Sequence, residues 1–384
     1  MKLVFASDSF KGSLSSAKIN ALLQAAAEEI FPHGETVSLL MADGGEGTVD
    51  ALVGQLGGEK VTISVHGPLF EPVEAQYGIL SQGTAVIEMA AASGLPLVPP
   101  SQRDPMKTTT FGVGQLVRDA LSRGVRKIVM AIGGSATNDG GMGMLSALGV
   151  RFLDQSGTVL RGCGSDLEAV DRIDRSGLYP GILETEFVVM CDVNNPLLGE
   201  RGCAFTFAAQ KGAGEEMQQR LEQGMSHYAD LVEKTVSFSG RDVPGAGAAG
   251  GLGFALMAFL GARLQSGIDT VLDLIHFDEI IRDADLVVTG EGKMDWQSAY
   301  GKVPAGVGKR CRKAGVPAVA IVGGVLPGYE PIYQCGIETV MTTISGAMDL
   351  QQAMKDSEAL YRDAAVRLFR AVRCGMKMAG REKF

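Results

Sequence analysis

Six loops built from glycine, small polar residues and carboxylates punctuate this chain, several of them directly after runs of β-branched apolar residues. The loops are Ser7-Asp8-Ser9-Phe10-Lys11-Gly12, Ala42-Asp43-Gly44-Gly45-Glu46-Gly47-Thr48, Gly133-Gly134-Ser135-Ala136-Thr137-Asn138-Asp139-Gly140-Gly141, Cys191-Asp192-Val193-Asn194-Asn195-Pro196, Pro244-Gly245-Ala246-Gly247-Ala248-Ala249-Gly250-Gly251 and Thr289-Gly290-Glu291-Gly292-Lys293-Met294-Asp295. Glycine lets backbone N–H groups converge on a phosphate or carboxylate with no side chain in the way. Phosphoryl transfer needs such donors, carboxylates for Mg²⁺, a carboxylate to orient or deprotonate the attacking hydroxyl, and a cation for charge in the transition state. Each of these has candidates here, so the pattern points to an enzyme that handles an anion.

Individual loops differ in how far they carry that reading. In Gly133 to Gly141 four oxygen- or amide-bearing side chains stand among four glycines, more than a turn requires, and form an anion nest. Asp192 ends an apolar run, and Asp295 lies four residues beyond Glu291 in a loop that also carries Lys293; each is placed for catalysis or for an Asx-turn. Lys11 and Lys211 each follow an apolar run and are placed either to approach an anion or to stand solvated, with Lys11 beside a strand end the better placed, whereas Lys18, Lys355 and Lys377 sit on helices as surface charge. No G-x-x-x-x-G-K-[ST] occurs. Gly245 to Gly250 matches G-x-G-x-x-G without a convincing preceding strand, which leaves close helix packing and a phosphate-facing helix start both open.

These loops must be held by strands and helices. Lys2 to Ala6 reads as a buried strand, Ser15 to Glu29 as a helix, Val37 to Met41 as a strand and Thr48 to Leu56 as a helix. The same grammar returns with strand Asp285 to Thr289, helix Pro304 to Ala314, strands Ala318 to Val322 and Thr339 to Thr342, and a helix from Asp349 to Ala379. Alternating β and α elements imply parallel sheets. Between them the texture changes, through the strand-and-turn segment His66 to Gly83 and the proline-rich Pro96 to Pro105, before a strand returns at Lys127 to Ile132. The expected fold is therefore α/β with two α/β domains: a Rossmann-like parallel-sheet domain built from residues 1–65 and 285–384, and a second α/β domain, 66–284, inserted into it. Asp-Gly-Gly-x-Gly occurs at Asp43 and again at Asp139, but the flanks do not align and no duplication is inferred.

Composition narrows the classes. A length of 384 residues exceeds what one core sustains, which favours two domains, and 52 glycines are roughly double the usual share. A net charge of −9, with no basic stripe interleaved with aromatics, argues against nucleic acid. The apolar run at the N-terminus is too short for a signal peptide and no window approaches the ~18 apolar residues of a membrane span, so the chain reads as cytoplasmic. Six scattered cysteines and four isolated histidines lack zinc spacing.

Seven segments taken in order, Asp8 to Gly12, Met41 to Thr48, Ile132 to Gly141, Cys191 to Gly199, Gln210 to Ala213, Pro244 to Gly251 and Gly290 to Ser298, closely resemble the bacterial type I glycerate kinase family. The resemblance implies an ATP- and Mg²⁺-dependent kinase of D-glycerate, with the active site in a cleft between two α/β domains and 2-phosphoglycerate as the product. Glycerate is a small carboxylate whose recognition needs a cation and hydroxyl-binding groups. The roles expected on that basis are substrate binding by Asp8, Ser9, Lys11, Asp43, Gly44 and Gly45; orientation of the hydroxyl by Asp192 or Asp295, with Lys293 in catalysis; phosphate contacts from Gly133, Gly134, Ser135, Thr137, Asn138 and Lys211; and Mg²⁺ held by Glu46, Asp139 or Glu291, with Asp43 a further candidate. The alternatives are transfer to the 3-hydroxyl, a dinucleotide-dependent oxidoreductase using Gly245 to Gly250 with Asp269 as its acidic partner, and a non-catalytic binding protein for a small acid.

Overall fold

The computed structural model describes residues 1–380, which divide into two compact units: Met1–Asp43 together with the segment from Ile268 onward, and Gly44–Gly267. Both are α/β, and the parallel sheet expected for the discontinuous unit is present. Five strands, all parallel, lie in the order Ile337–Thr342, Ala318–Val322, Leu286–Gly290, Lys2–Ser7, Glu35–Ser38. Their sequences, such as LVVTG and AVAIV, are apolar on both faces because helices cover both sides of a parallel sheet. Helix Ser16–Ile30, whose start is capped by the Ser15 hydroxyl accepting from the Lys18 N–H, packs with helix Ser357–Met378. Leu3, Phe5, Ile19, Leu23, Val288 and Phe369 form the core of that side. Helix Val303–Ala314 packs against Leu286–Gly290 and Ala318–Val322 and stops at Gly315, whose φ is +72°.

Counted along the chain, these strands lie in the order 2-1-3-4-5. The winding direction reverses beside the first strand, between Lys2–Ser7 and Leu286–Gly290, and such a reversal opens a crevice at the carboxyl ends of the two strands.

The second unit is built on a six-stranded mixed sheet. Arg263–Gln265, Glu186–Met190, Lys127–Ala131 and Thr84–Glu88 are parallel, and the hairpin strands Pro72–Leu80 and Gly58–His66 extend the sheet antiparallel. Residues 44–65, assigned above to the first domain, belong here, because Gly58–His66 pairs with Pro72–Leu80 along its whole length and the Val49 N–H donates to Glu88 Oε1 at 2.8 Å. Residues 268–284 belong conversely to the first unit. Arg310 of helix Val303–Ala314 reaches Asp273 Oδ1 at 2.6 Å and Asp278 Oδ2 at 3.1 Å.

Element boundaries also change. The second strand is Glu35–Ser38 and not Val37–Met41, because Glu35 to Ser38 pair with Lys2 to Phe5; just beyond them the Leu39 N–H still reaches the Phe5 carbonyl, at 2.8 Å. The long C-terminal helix breaks at Asp356 into Leu350–Lys355 and Ser357–Met378. Helix Ala248–Leu260 begins with Ala249, Gly250 and Gly251 in the left-handed region.

That last feature resolves the G-x-G-x-x-G segment. The Gly250 carbonyl accepts from the Gly140 N–H at 2.9 Å, and a Cβ on Gly250 would lie 2.1 Å from the Thr137 carbonyl oxygen. These glycines let one backbone lie directly on the 137–140 loop; they form no dinucleotide cradle. Gly250→Ala, at φ +65° and against that carbonyl, is expected to destabilise the protein by about 2 kcal/mol or more. Denaturant titration beside the parent protein measures the loss.

Candidate active site

The crevice at the strand reversal holds most of the predicted chemistry of the first unit. Asp8 and Ser9 follow strand Lys2–Ser7, and Glu291 follows Leu286–Gly290; the Asp8 N–H donates to the Gly290 carbonyl at 2.9 Å, tying the two strand ends together. A two-stranded parallel ladder, Lys293–Met294 with Gly324–Val325, fixes the next segment. A cavity of about 690 Å³ results, with Asp8, Lys11, Asp43, Glu291, Asp295 and Lys302 on its polar side.

Charge is not evenly matched in this cavity. Lys302 Nζ stands 3.3 Å from Glu291 Oε2 and 3.8 Å from Asp295 Oδ1, and Lys293 Nζ is 3.4 Å from Asp295 Oδ2. Burial, with the Asp43 and Glu291 carboxylates nearby, pushes Asp8 up to about 6, although the Ser9 N–H and Lys11 oppose the rise. Burial likewise raises Glu291, against the Ser298 hydroxyl and Lys302, and its Oε1 is buried with no hydrogen-bond partner among the described residues. Burial works against ionisation of Asp295 too. There the Gln297 N–H, Lys302 and Lys293 prevail and hold its carboxyl below the usual range. Asp295 also caps the turn Trp296–Ala299, accepting from the Gln297 N–H at 3.0 Å, so its side chain is firmly placed.

In the second unit, strand Lys127–Ala131 delivers Gly133 and Gly134 to the surface, with Ser135, Thr137, Asn138 and Asp139 buried behind them. Among the described residues, the N–H groups of Gly133 and Gly134 donate to no other backbone carbonyl. A Cβ built on Gly133 would meet only the Gly44 carbonyl oxygen, at 3.8 Å, so the Gly44-Gly45 segment borders the same loop. Lys211 lies beneath, 2% exposed, donating from Nζ to Ser135 Oγ at 2.8 Å and to the Thr137 carbonyl at 2.6 Å. Burial pushes its ammonium down to about 8, with Cys203 and Asp139 opposing. Lys211 thus supports the loop and lends it positive charge from behind, where direct contact with a phosphate was expected.

Asp139 also takes a different place from the one expected. Its carboxylate accepts from the Thr110 N–H and hydroxyl, both at 2.7 Å, and from the N–H groups of Gly141 at 3.1 Å and Gly143 at 3.2 Å. Four donors around a wholly buried carboxylate make it an organiser of the loop and of helix Met142–Ala147. Glu46 is exposed on its own loop. Asp192 is exposed and accepts from the Gly267 N–H at 2.9 Å. Among the described residues no group of three or more His, Cys, Asp or Glu is arranged to hold an ion. Mg²⁺ rarely uses such a cage, taking one or two carboxylates with substrate phosphates instead, and the orphaned Glu291 Oε1 fits that requirement.

Two residues were missed. Lys302 directly precedes the Val303-Pro304 helix start and is the cation on which Glu291 and Asp295 converge. Glu88 ends the strand Thr84–Glu88, and its strand-end carboxylate was the available signal; it bonds the start of helix Thr48–Leu56 and so anchors the Gly44 to Gly47 loop.

Two α/β units, one with a carboxylate–lysine cavity at a strand-order reversal and one with a glycine loop over a buried ammonium, define an enzyme that handles small anions. The chain belongs to the glycerate kinase family, whose model it matches over residues 3–373. It is 44% identical to the glycerate 2-kinase of Escherichia coli K12, over 99% of this chain and all of the other, and 45% identical to the glycerate kinase of Bacillus subtilis 168 over 96% of each. A crystal structure described as a candidate glycerate kinase 2 from Salmonella typhimurium LT2 superposes with a TM-score of 0.90 at 42% identity, covering 98% of this chain and 99% of that one.

Burying Lys211 sets a pH dependence with a definite sign. Between about 8 and the ordinary lysine value of 10.5 the unfolded chain holds the proton and the folded chain does not, so stability rises with pH in that window. The stability difference between wild type and Lys211→Met is expected to move in favour of the wild type by up to ~3 kcal/mol across it. Urea titrations of both proteins at intervals between pH 7.5 and 10.5 check this.

Proposed function

We propose that this protein transfers the γ-phosphoryl group of ATP to the 2-hydroxyl of D-glycerate, giving 2-phosphoglycerate and ADP. The observation that carries the reading is Asp8, a carboxylate poised to accept a proton near neutral pH, beside lysines at the crevice of the strand-order reversal. The full-length similarity to a glycerate 2-kinase supports the choice of acceptor and of hydroxyl.

In this scheme Lys11 and Ser9 bind the glycerate carboxylate and Asp8 takes the proton of the attacking hydroxyl as its oxygen bonds to phosphorus. The bond from the γ-phosphorus to the bridging oxygen then breaks and ADP leaves. Within the second unit, the Gly133-Gly134-Ser135 loop, with Lys211 behind it, is suited on its own to anionic oxygens. Asp295 positions Lys293 and Lys302, which offset charge that develops during transfer. Of the expected metal ligands we retain Glu291, and Mg²⁺ bound there with the nucleotide would neutralise phosphate charge.

Incubation with ATP, Mg²⁺, D-glycerate and enolase, without a mutase, is expected to produce phosphoenolpyruvate absorbance. Signal that appears only once phosphoglycerate mutase is added would assign transfer to the 3-hydroxyl. kcat is expected to climb as pH rises through about 6, when Asp8 loses its proton, and Asp8→Asn to lower it by ~10²-fold or more and abolish that inflection. Asp295→Asn is expected to reduce turnover more than the affinity for glycerate, which steady-state kinetics with varied glycerate resolves.

A further inference from the structure

The first-unit cavity is far larger than a three-carbon acid needs. Its volume of about 690 Å³ falls in the range of ~300–1,000 Å³ typical of pockets that enclose much larger organic ligands. Its lining also includes an apolar wall that the phosphoryl-transfer scheme does not use. The wall comes from Val325 and Leu326 after strand Ala318–Val322, from Ile344 and Met348 after Ile337–Thr342, and from Leu350 and Met354 of helix Leu350–Lys355. Leu350 is 75% exposed, Leu326 46% and Met354 39%, a concentration of accessible apolar side chains that marks a ligand-binding surface.

We propose that this wall is the seat of the nucleoside end of the nucleotide, with the purine base against Leu326, Met348, Leu350 and Met354 and the phosphate chain beside Lys293 and Lys302. The inference rests on the ATP-dependent reading above. Both halves of a nucleotide find their complement in one cavity. Flexible methionines give polarizable surface to a flat aromatic base, the two lysines face the phosphates, and the buried Glu291 Oε1 without a partner suits the cation that accompanies them. The wall also lies at the carboxyl ends of the fourth and fifth strands, on the side of the reversal where an open parallel sheet extends a bound ligand.

Trp296, the only tryptophan, is 59% exposed and sits between Asp295 and Gln297, both of which line the cavity, so its emission reports occupancy. ADP and adenosine are titrated into the full chain with Trp296 fluorescence and calorimetry in parallel, for wild type, Leu350→Asp and Met354→Asp. Leu350 is exposed enough for the aspartate to be tolerated in the fold, and circular dichroism verifies it. The expected result is ADP binding weakened at least tenfold in both variants, KM for ATP raised to match, and KM for D-glycerate unchanged. Wild-type ADP affinity in both variants, with wild-type ATP turnover intact, would overturn the subsite and leave the kinase reading standing. A wild type that neither binds ADP nor consumes ATP would overturn both. A change confined to sedimentation behaviour would make the wall a contact between copies and overturn the subsite.

Discussion

Strand Lys2–Ser7 runs beside Leu286–Gly290, parallel and in register from Leu3 against Leu286 to Ser7 against Gly290. That pairing brings the two ends of the described chain into one sheet and makes the winding reverse at its centre. Connections leaving adjacent strands in opposite directions cannot cover the strand ends, so the backbone there is left facing a cavity. Asp8 and Glu291 occupy it because each is the first residue beyond its strand. The unusual protonation of Asp8 follows from topology: two neighbouring parallel strands deliver carboxylates to one poorly hydrated spot, with Asp43 arriving from a third segment.

The second unit solves a related problem by other means. A loop that leaves backbone donors open toward solvent needs its remaining polar groups satisfied from within. Asp139 collects the donors of Thr110, Gly141 and Gly143, and Lys211 supplies the Ser135 hydroxyl and the Thr137 carbonyl. The two buried charges have opposite sign and influence each other's protonation, which limits the cost of holding either away from water. Gly250 and Gly251 then admit a helix start directly against the loop.

Strand-forming runs were legible in the sequence because parallel strands buried on both faces are continuous apolar stretches; Ala318–Val322 falls where its composition placed it. Asp8, Lys11, Glu291 and Asp295 were legible as cavity residues for the same reason, since a strand end followed by a polar loop is a local pattern. Lys302 was not, because its role depends on where helix Val303–Ala314 packs, a tertiary fact. The domain boundary was misplaced because the antiparallel pairing of Gly58–His66 with Pro72–Leu80 is invisible in the periodicity of either strand. The structural part that Asp139 plays was not legible, because a carboxylate that collects backbone donors looks like any other until the donors are located.

The discontinuity of the first unit bears on synthesis as well as on catalysis. At roughly 5–20 residues per second, a ribosome needs on the order of tens of seconds to travel from the first strand to its partner near Leu286. During that interval Lys2–Ser7 and Glu35–Ser38 form at most a two-stranded fragment with an apolar, hydrogen-bond-hungry edge. The second unit, continuous from Gly44 to Gly267, is complete well before the first can close. The nascent chain therefore carries an open sheet edge through most of its translation, and the cost of placing Asp8 beside Glu291 is borne as exposure to chaperones and misassembly before the enzyme exists.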